Sequence, residues 1–277
     1  MFKTDPVTVA ISNYSATITL NRPQKGNSIT PAVMEYLINT LPDLAADPNV
    51  RVVIFTGAGK YFCTGLDLSN GVWPSNEPIT QRIAWFSNQD IQLVELIRTF
   101  PKPVIARING PAIGGGLLFL FASDIRFAID TAYLQFPEVH RGFLPKFTPP
   151  FVVNLLGKHN VMEYVLTGRR VPILEVNKNI LNGVVSTEAA LDALVQACVD
   201  KLIDGPPRVI ANAKQLINLT ANGGDKDYDT RVLLATKDIN DEVMKRHEAR
   251  DGIKSFNINK QNTGRNISQD RITAAKL

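Results

Sequence analysis

The sequence predicts an α/β protein with parallel strand pairing, and three observations indicate this class. Apolar, β-branched runs typical of buried strands alternate along the chain with segments of helical character. The composition, 44% apolar and 20% charged, is ordinary for a globular protein. The length of 277 residues is enough to bury a sizeable core. These features fit one large domain, or one domain followed by a helical appendix.

The N-terminal half predicts a hairpin, two helices and a buried strand. The partly alternating run VTVAISNYSATITL predicts a hairpin whose turn lies near Ser12–Asn13. Thr30 is placed to cap a helix that begins at Pro31. The run RVVIFTG, residues 51–57, predicts a buried strand, and residues 81–100 predict a helix.

The following segments repeat this alternation and end in helices. Residues 101–109 predict a strand, residues 117–123 a buried helix and residues 124–130 a short strand. An extended segment, AYLQFPE, and a proline-rich loop come next. The remaining predicted elements are a helix near 160–166, a short strand at 184–186, and helices at 189–204, 207–222 and 231–245.

Charge and cysteine usage narrow the function classes. The net charge is +4, but no basic stripe with interleaved aromatics predicts nucleic-acid binding. A mildly basic surface suits an anionic, phosphate-bearing ligand. Cys63 and Cys198 form no CxxC pair, which favours a reducing compartment. The N-terminus has no apolar signal core, and no apolar run is long enough to predict a membrane span.

The last three residues, Ala275-Lys276-Leu277, resemble the peroxisomal address Ser-Lys-Leu. A tripeptide this loose also matches by chance. Its place at the end of a polar tail that begins near Gln261 favours the functional interpretation. We therefore expect a peroxisomal protein that an import receptor recognises through this tripeptide.

Two glycine-containing loops each follow a predicted buried strand. They are GKYFCTGLDL, residues 59–68, and NGPAIGGGLL, residues 109–118. Strand–loop–helix junctions present free backbone N–H groups, and two of these aimed at one oxygen make an oxyanion hole. The alternative is that the glycines only permit tight turns. Neither loop fits a dinucleotide fingerprint or a Gly-Lys-Ser/Thr phosphate loop.

The motifs FCTGLDL, INGPAIGGG, ASDIRFA, Phe-Pro-Glu and VLTGRRV occur in this order, and together they resemble the crotonase superfamily of enoyl-CoA hydratases and isomerases. The resemblance covers residues 5–255. It implies a crotonase-like spiral of ββα units over 1–205, a C-terminal helical trimerisation region over 206–260, and a flexible tail over 261–277. It also implies homotrimers or hexamers that bind acyl-CoA and stabilise a thioester enolate with two backbone N–H groups. Matched by motif, these belong to Leu66 and Gly115.

The same resemblance implies one carboxylate where family hydratases carry two. The position of the first hydratase glutamate is Leu118, and the second is Glu138. Hydration is served well by two carboxylates, whereas moving a double bond from C3 to C2 needs only one base. The leucine–glutamate pattern is similar to that of Δ3,Δ2-enoyl-CoA isomerases. Another isomerase branch has its acid near Lys146 or Phe147, where this chain has none, and dienoyl-CoA isomerases fit poorly for a similar reason.

We expect Glu138 to move the proton, and we expect further residues to contact the substrate. The predicted substrate-binding residues are Lys25, Asn27, Gly65, Asp67, Leu68, Gly114, Leu118 and His140. Asp67 is also expected to order its own loop, and His140 either lines the pocket or is structural. The candidate phosphate contacts, or else solvated charges, are Lys25, Lys60, Lys245, Arg246 and Lys254. The chemistry needs no metal and no cofactor, because coenzyme A is part of the substrate.

Other activities stay open at this point. Within the same fold they are a hydratase, a thioester hydrolase and a C–C lyase that acts through the same enolate. The segment PEVHRGFLPKFTPPF replaces a more usual glycine-rich loop, which allows a specialised acyl substrate. A second alternative is a non-catalytic, CoA-binding member of the family, whose rates would not respond to Glu138→Gln.

Overall fold

The computed structural model describes residues 5–69, 79–142, 145, 148–176 and 180–221. In this part of the chain strands and helices alternate. The strands are β1 Val7–Ser12, β2 Ser15–Leu20, β3 Val52–Gly57, β4 Val104–Ile108, β5 Ala112–Ile113, β6 Ile125–Ile129, β7 Tyr133–Gln135, β8 Arg170–Pro172 and β9 Gly183–Val185. The helices are α1 Pro31–Ala46, α2 Ile79–Arg98, α3 Leu117–Ala122, α4 Thr148–Leu156, α5 Lys158–Thr167, α6 Glu188–Asp204 and α7 Pro207–Ala221.

The larger sheet has six strands in the order β1-β2-β3-β4-β6-β9. Only the β1–β2 hairpin is antiparallel among its pairs in the described residues, and the others are parallel. All six residues of β3 are buried, because a central parallel strand is covered on both faces. Asn13 and Tyr14 have positive φ of 45° and 58°, as a two-residue hairpin turn requires. The predicted hairpin is confirmed.

A second, shorter ladder accompanies the large sheet. It consists of β5, β7 and β8. Its pattern is extended by two isolated parallel bridges, which pair Ile29 with Leu66 and Cys63 with Ala112. A long strand is thus followed by a short paired segment and then by a helix, as in β4, β5 and α3. This repeated strand–strand–helix unit confirms the predicted crotonase-like α/β class.

Two local predictions had different outcomes. Thr30 caps α1 as expected, since its side chain accepts a hydrogen bond from the Val33 N–H at 3.3 Å. The proline-rich loop predicted ahead of residue 160 was wrong in part, because α4 begins at Thr148. The next two residues are prolines, and in the first turn of a helix a missing N–H removes no hydrogen bond.

The chain forms two compact units, Met1–Ala211 and Asn212–Leu277. The described part of the second unit is residues 212–221, which continue α7. The predicted region 206–260 is therefore described only as far as residue 221, and the predicted tail 261–277 and helix 231–245 lie outside the described residues. In the described part of the chain, no helix is both long and apolar enough to cross a membrane.

Candidate active site

The two glycine-containing loops contact each other backbone to backbone. The Ile113 N–H donates to the Cys63 carbonyl at 2.9 Å, and the Phe62 N–H donates to the Pro111 carbonyl at 3.1 Å. The approach is so close at Gly65 that a β-carbon there would lie 3.0 Å from the Gly115 nitrogen. The structure therefore brings together the two loops that carry the predicted oxyanion donors.

The Leu66 amide is oriented by its bridge to Ile29. The Ile29 N–H donates to the Gly65 carbonyl, and the Asp67 N–H donates to the Ile29 carbonyl, both at 2.8 Å. Backbone polar groups of successive residues in an extended segment point to opposite sides. The Leu66 N–H therefore faces away from Ile29, on the side of the segment that is not used by this bridge.

The Gly115 amide lies in the first turn of a short 3-10 helix, Gly114–Gly116, which runs directly into α3. Amide groups in a first helical turn have no partner within the helix. A β-carbon on Gly116 would come within 2.4 Å of the Cys63 carbonyl oxygen. The triple glycine thus lets the helix start against the first loop, with the Gly115 amide in its first turn.

Glu138 lies beside this glycine turn. A β-carbon on Gly114 would be 3.1 Å from Glu138 Oε1. Glu138 Oε2 is shielded from solvent and has no hydrogen-bond partner among the described residues. Burial raises the pKa of Glu138 above its ordinary value, although its own backbone amide and the charge of Arg141 oppose the rise. A carboxylate in this setting is suited to act as a base.

Leu118 is apolar and buried, with 6% of its surface exposed. It lies in α3, where all six residues are buried. The resemblance places a glutamate of family hydratases at this position. In this chain the position therefore holds an apolar residue of the hydrophobic core. No acidic side chain comes from α3 to join Glu138.

Asp67 organises the first loop, as the sequence predicts. Its Oδ1 accepts hydrogen bonds from the backbone and hydroxyl of Ser69, and its Oδ2 accepts one from Arg22 at 2.9 Å. Arg22 also donates to the Ser28 carbonyl at 2.6 Å. Burial opposes ionisation, but the bonds from Ser69 and Arg22 hold the pKa of Asp67 below its ordinary value. This network fixes the residue that follows Leu66.

Asn27, predicted to bind substrate, is 1% exposed and makes its contacts within the protein. Its Nδ2 donates to the carbonyls of Ala58 at 2.9 Å and Tyr61 at 2.6 Å. From the second loop, Asn109 Nδ2 donates to the Gly59 carbonyl at 2.8 Å. Both side chains therefore fix the path of the first loop, and direct contact of Asn27 with substrate stays a prediction.

The other predicted contact residues lie at or near the surface. Lys25, Lys60 and His140 are exposed, and Leu68 is half-buried. His140 Nε2 lies 2.7 Å from the Thr167 carbonyl, so its observed contact is structural. The candidates outside the described residues are Lys245, Arg246, Lys254 and the C-terminal tripeptide, and positions 146 and 147 lie outside them as well.

Two arginines that are not among the predicted site residues support the site. Arg22 joins Ser28 to Asp67, as described above. The half-buried Arg126 donates to the carbonyls of Leu120 at 2.7 Å and Ser123 at 2.6 Å, at the C-terminal end of α3. The Arg22–Asp67 pair spans 45 residues of sequence, whereas Arg126 lies in the ASDIRFA motif and contacts residues three to six positions before it. No local signal indicates the Arg22–Asp67 contact, but the place of Arg126 in that motif could have pointed to it.

The described residues include no group of three or more His, Cys, Asp or Glu side chains that could hold a metal ion. The groups that lie close together here are the backbones of the two glycine-containing loops, which carry the predicted donor amides, and the Glu138 carboxylate. This set can stabilise an oxyanion and move a proton.

Comparison with known proteins agrees with this geometry. A family model described as enoyl-CoA hydratase/isomerase matches residues 11–263. The chain belongs to the enoyl-CoA hydratase/isomerase family. As a member, it acts in the chemistry of acyl-CoA thioesters.

Two relatives of this enoyl-CoA hydratase/isomerase family member come from Alternaria alternata. Enoyl-CoA hydratase AFT6-1 is 33% identical over 79% of this chain and 72% of its own. Enoyl-CoA hydratase ACTT6 is 31% identical over 88% of this chain and 79% of its own. The crystal structure of an enoyl-CoA hydratase from Bacillus anthracis superposes with a TM-score of 0.83 at 27% identity, and covers 92% of this chain and 97% of that one.

Proposed function

We propose that this protein converts 3-enoyl-CoA to 2-enoyl-CoA with Glu138 as its single acid and base. The Glu138 carboxylate takes a proton from C2 of the substrate. The electron pair of that C–H bond moves into the thioester, which gives a dienolate whose oxygen accepts hydrogen bonds from the Leu66 and Gly115 amides. Glu138 then returns the proton to C4, and the double bond lies between C2 and C3. No atom is gained or lost.

One observation carries the proposal: beside the glycine turn lies a desolvated carboxylate that no second acidic side chain joins from α3. Its Oε2 has no hydrogen-bond partner among the described residues, so it is free to accept a proton. The position where a hydratase of this family is expected to carry a second carboxylate is the buried Leu118. Isomerisation needs only one base, which removes a proton from C2 and returns it to C4.

Hydration of 2-enoyl-CoA is the second candidate, and the names of the relatives favour it. Both Alternaria relatives are called enoyl-CoA hydratases. Hydration requires a group that holds and activates water as well as one that protonates carbon. Glu138 could fill only one of these roles at a time, so a hydratase would need another residue to replace the carboxylate missing at Leu118.

A paired assay separates the two candidates. Purified wild type and Glu138→Gln are given 3-enoyl-CoA, with formation of 2-enoyl-CoA measured, and separately 2-enoyl-CoA, with formation of 3-hydroxyacyl-CoA measured. We expect isomerisation by wild type, its loss in the variant, and little hydration. Efficient hydration by wild type would contradict the single-base proposal. Binding of CoA with no turnover of either substrate would support the non-catalytic alternative.

A third variant tests the missing carboxylate. Leu118→Glu restores a carboxylate at the hydratase position, and Leu118→Gln is the matched control of similar size without the charge. We expect a gain of hydration in the glutamate variant alone, at a cost in stability because the site is buried. Equal hydration in wild type and Leu118→Glu would show that the position does not decide between the reactions.

We also propose a peroxisomal location and a homotrimeric or hexameric assembly. The C-terminal Ala275-Lys276-Leu277 supports the first, and the family resemblance supports the second. Fluorescence microscopy of an N-terminal fusion, with and without these three residues, tests the location. Sedimentation of the purified protein tests the assembly.

A further inference from the structure

Glu138 is followed at once by a tight backbone turn that is attached to a distant part of the chain. Residues Val139–Arg141 form a 3-10 helix, and Glu138 is its N-terminal flanking residue. His140, in the middle of this turn, places Nε2 2.7 Å from the Thr167 carbonyl oxygen at the end of α5. Because a carbonyl oxygen can only accept, Nε2 carries the proton in this bond.

Gly168 makes room for the His140 ring. A β-carbon on Gly168 would lie 2.5 Å from His140 Cδ2 and 3.1 Å from Nε2, and the glycine has a φ of +58°. The same glycine ends α5, where its N–H donates to the Tyr164 carbonyl at 3.1 Å. The ring therefore rests on a backbone turn that is itself fixed by a helix end.

A second bond attaches the chain on the other side of Glu138 to the same turn. Gln135, three residues before Glu138, donates from Nε2 to the Gly168 carbonyl at 2.9 Å. The segment that carries Glu138 is thus held to residues 167–168 both before and after the carboxylate. We call the contacts of Gln135 and His140 with Thr167 and Gly168 the Glu138 clasp.

We propose that His140 is a positioning residue, which holds the Glu138 carboxylate at the glycine turn through the Glu138 clasp. This inference rests on the proposed function of Glu138 as the proton-transferring group. His140 was expected either to contact substrate or to be structural, and its contacts give it a third role that acts through Glu138.

The carboxylate depends on its backbone because little else holds it. Oε2 has no hydrogen-bond partner among the described residues. Among the described residues, the charged group that acts on Glu138 is Arg141, on the same turn. Near the clasp, Arg169 is engaged by Glu163 at 2.6 Å and by Glu175 at 2.9 Å. The position of Glu138 is therefore set by the turn, and the turn by its anchors.

The first experiment compares His140→Ala with two other variants. Misplacement of a catalytic group by about 1 Å can cost about 100-fold in rate. We expect His140→Ala to lower kcat for isomerisation about 10- to 100-fold with little change in KM. His140→Gln should recover part of the loss, since its amide can donate to the Thr167 carbonyl. The matched control is His159→Ala, which removes an exposed histidine from α5.

A double-mutant cycle with Gly168 tests the contact itself. Gly168→Ala should lower kcat as much as His140→Ala, because the added β-carbon meets the ring. With His140 already replaced by alanine, the nearest remaining atom is the Phe136 carbonyl oxygen at 3.4 Å, so the added loss should be much smaller. Losses that multiply independently would overturn the clasp.

A measurement without substrate separates the clasp from the proposed function. The Glu138 carboxyl is followed by carbon-13 NMR in glutamate-labelled protein, and Glu138→Gln assigns its signal. Release of the carboxylate into water should move its titration to lower pH in His140→Ala and not in His159→Ala. If wild type fails to isomerise but this shift occurs, the function is wrong and the clasp stands. If wild type isomerises and neither kcat nor the titration changes in His140→Ala, the clasp is wrong.

Discussion

Glu138 Oε1 lies so close to Gly114 that a β-carbon on the glycine would be 3.1 Å from it. Gly114 begins the turn whose next amide, that of Gly115, is a proposed oxyanion donor. The proposed base and the proposed donor are therefore set against the same few backbone atoms. Their relative position depends on a residue without a side chain.

We expect Gly114→Ala to lower kcat for isomerisation about 10- to 100-fold, since the new methyl group displaces the carboxylate. The variant also forces alanine to a φ of +54°, which costs about 1–2 kcal/mol of stability. Gly157→Ala is the control for backbone strain, because Gly157 has φ and ψ of 80° and 147°, at least as unfavourable for alanine, and no atom lies within 4 Å of an added β-carbon. Steady-state kinetics and urea unfolding of both variants check this. Equal kcat losses would show that backbone strain alone is responsible.

The pH dependence of kcat/KM reports the ionisation of Glu138 in the free protein. Burial raises the pKa of this carboxyl, and the base is active only when deprotonated. We therefore expect isomerisation to fall as pH decreases through a midpoint above about 4.3, the ordinary value for glutamate. Rates measured from acid to neutral pH, on protein shown to remain folded, check the prediction. A midpoint at or below the ordinary value would mean that the base is hydrated or is another group.

The contact between the two loops predicts the effect of Gly65→Ala. A β-carbon there would lie 2.8 Å from the Ile113 carbonyl oxygen and 3.0 Å from the Gly115 nitrogen, so the loops must separate. Loss of one oxyanion donor typically costs about 100- to 1,000-fold in kcat, and we expect a loss in this range. Gly59→Ala is the control in the same loop, with a φ of +68° and its nearest contact, Pro23, at 3.3 Å. A similar loss in both variants would contradict the oxyanion role.

Much of the fold could be predicted from sequence because its signals are local. The apolar, β-branched run that begins β3 and the Thr30 cap of α1 each depend on neighbouring residues, and both are confirmed. The prediction of a loop at the start of α4 is wrong because prolines, which are typical of loops, are also compatible with a first helical turn.

The supporting contacts of the site depend on residues far apart in sequence. Arg22 meets Asp67 across 45 residues, and His140 meets Thr167 across 27. The glycine motifs indicated where the amides lie, but periodicity and composition carry no information about which side chain braces a loop from elsewhere in the chain. Such partners become visible only when the tertiary structure is known.

Cys63 is fully buried, and this predicts that it does not react in the native protein. Burial raises its pKa to about 12, so at pH 8 about one thiol in 10⁴ is ionised. In Cys198→Ser, where Cys63 is the remaining cysteine, we expect no reaction with a thiol reagent over minutes and one reactive thiol after unfolding in guanidinium. The absorbance of the thiolate that the reagent releases measures the reaction in the native and in the unfolded protein. Prompt reaction of native Cys198→Ser would show that the first loop opens readily.

The Arg22–Asp67 pair predicts how stability changes with pH. Its hydrogen bonds lower the pKa of Asp67, so the folded protein favours the ionised form more than the unfolded chain does. The resulting stability is fully present above the unfolded value of about 3.9, and it is lost as pH falls through the lower, folded value.

We expect Asp67→Asn to unfold more easily at pH 7 by about 1–3 kcal/mol, since Arg22 is left without its charged partner. Asp43→Asn, which removes an exposed carboxylate from α1, should change stability by less than about 0.5 kcal/mol. Urea unfolding at pH 7 and at decreasing pH measures the difference between wild type and Asp67→Asn. That difference should shrink toward acid pH, and one that stays constant would mean that Asp67 acts through packing instead of charge.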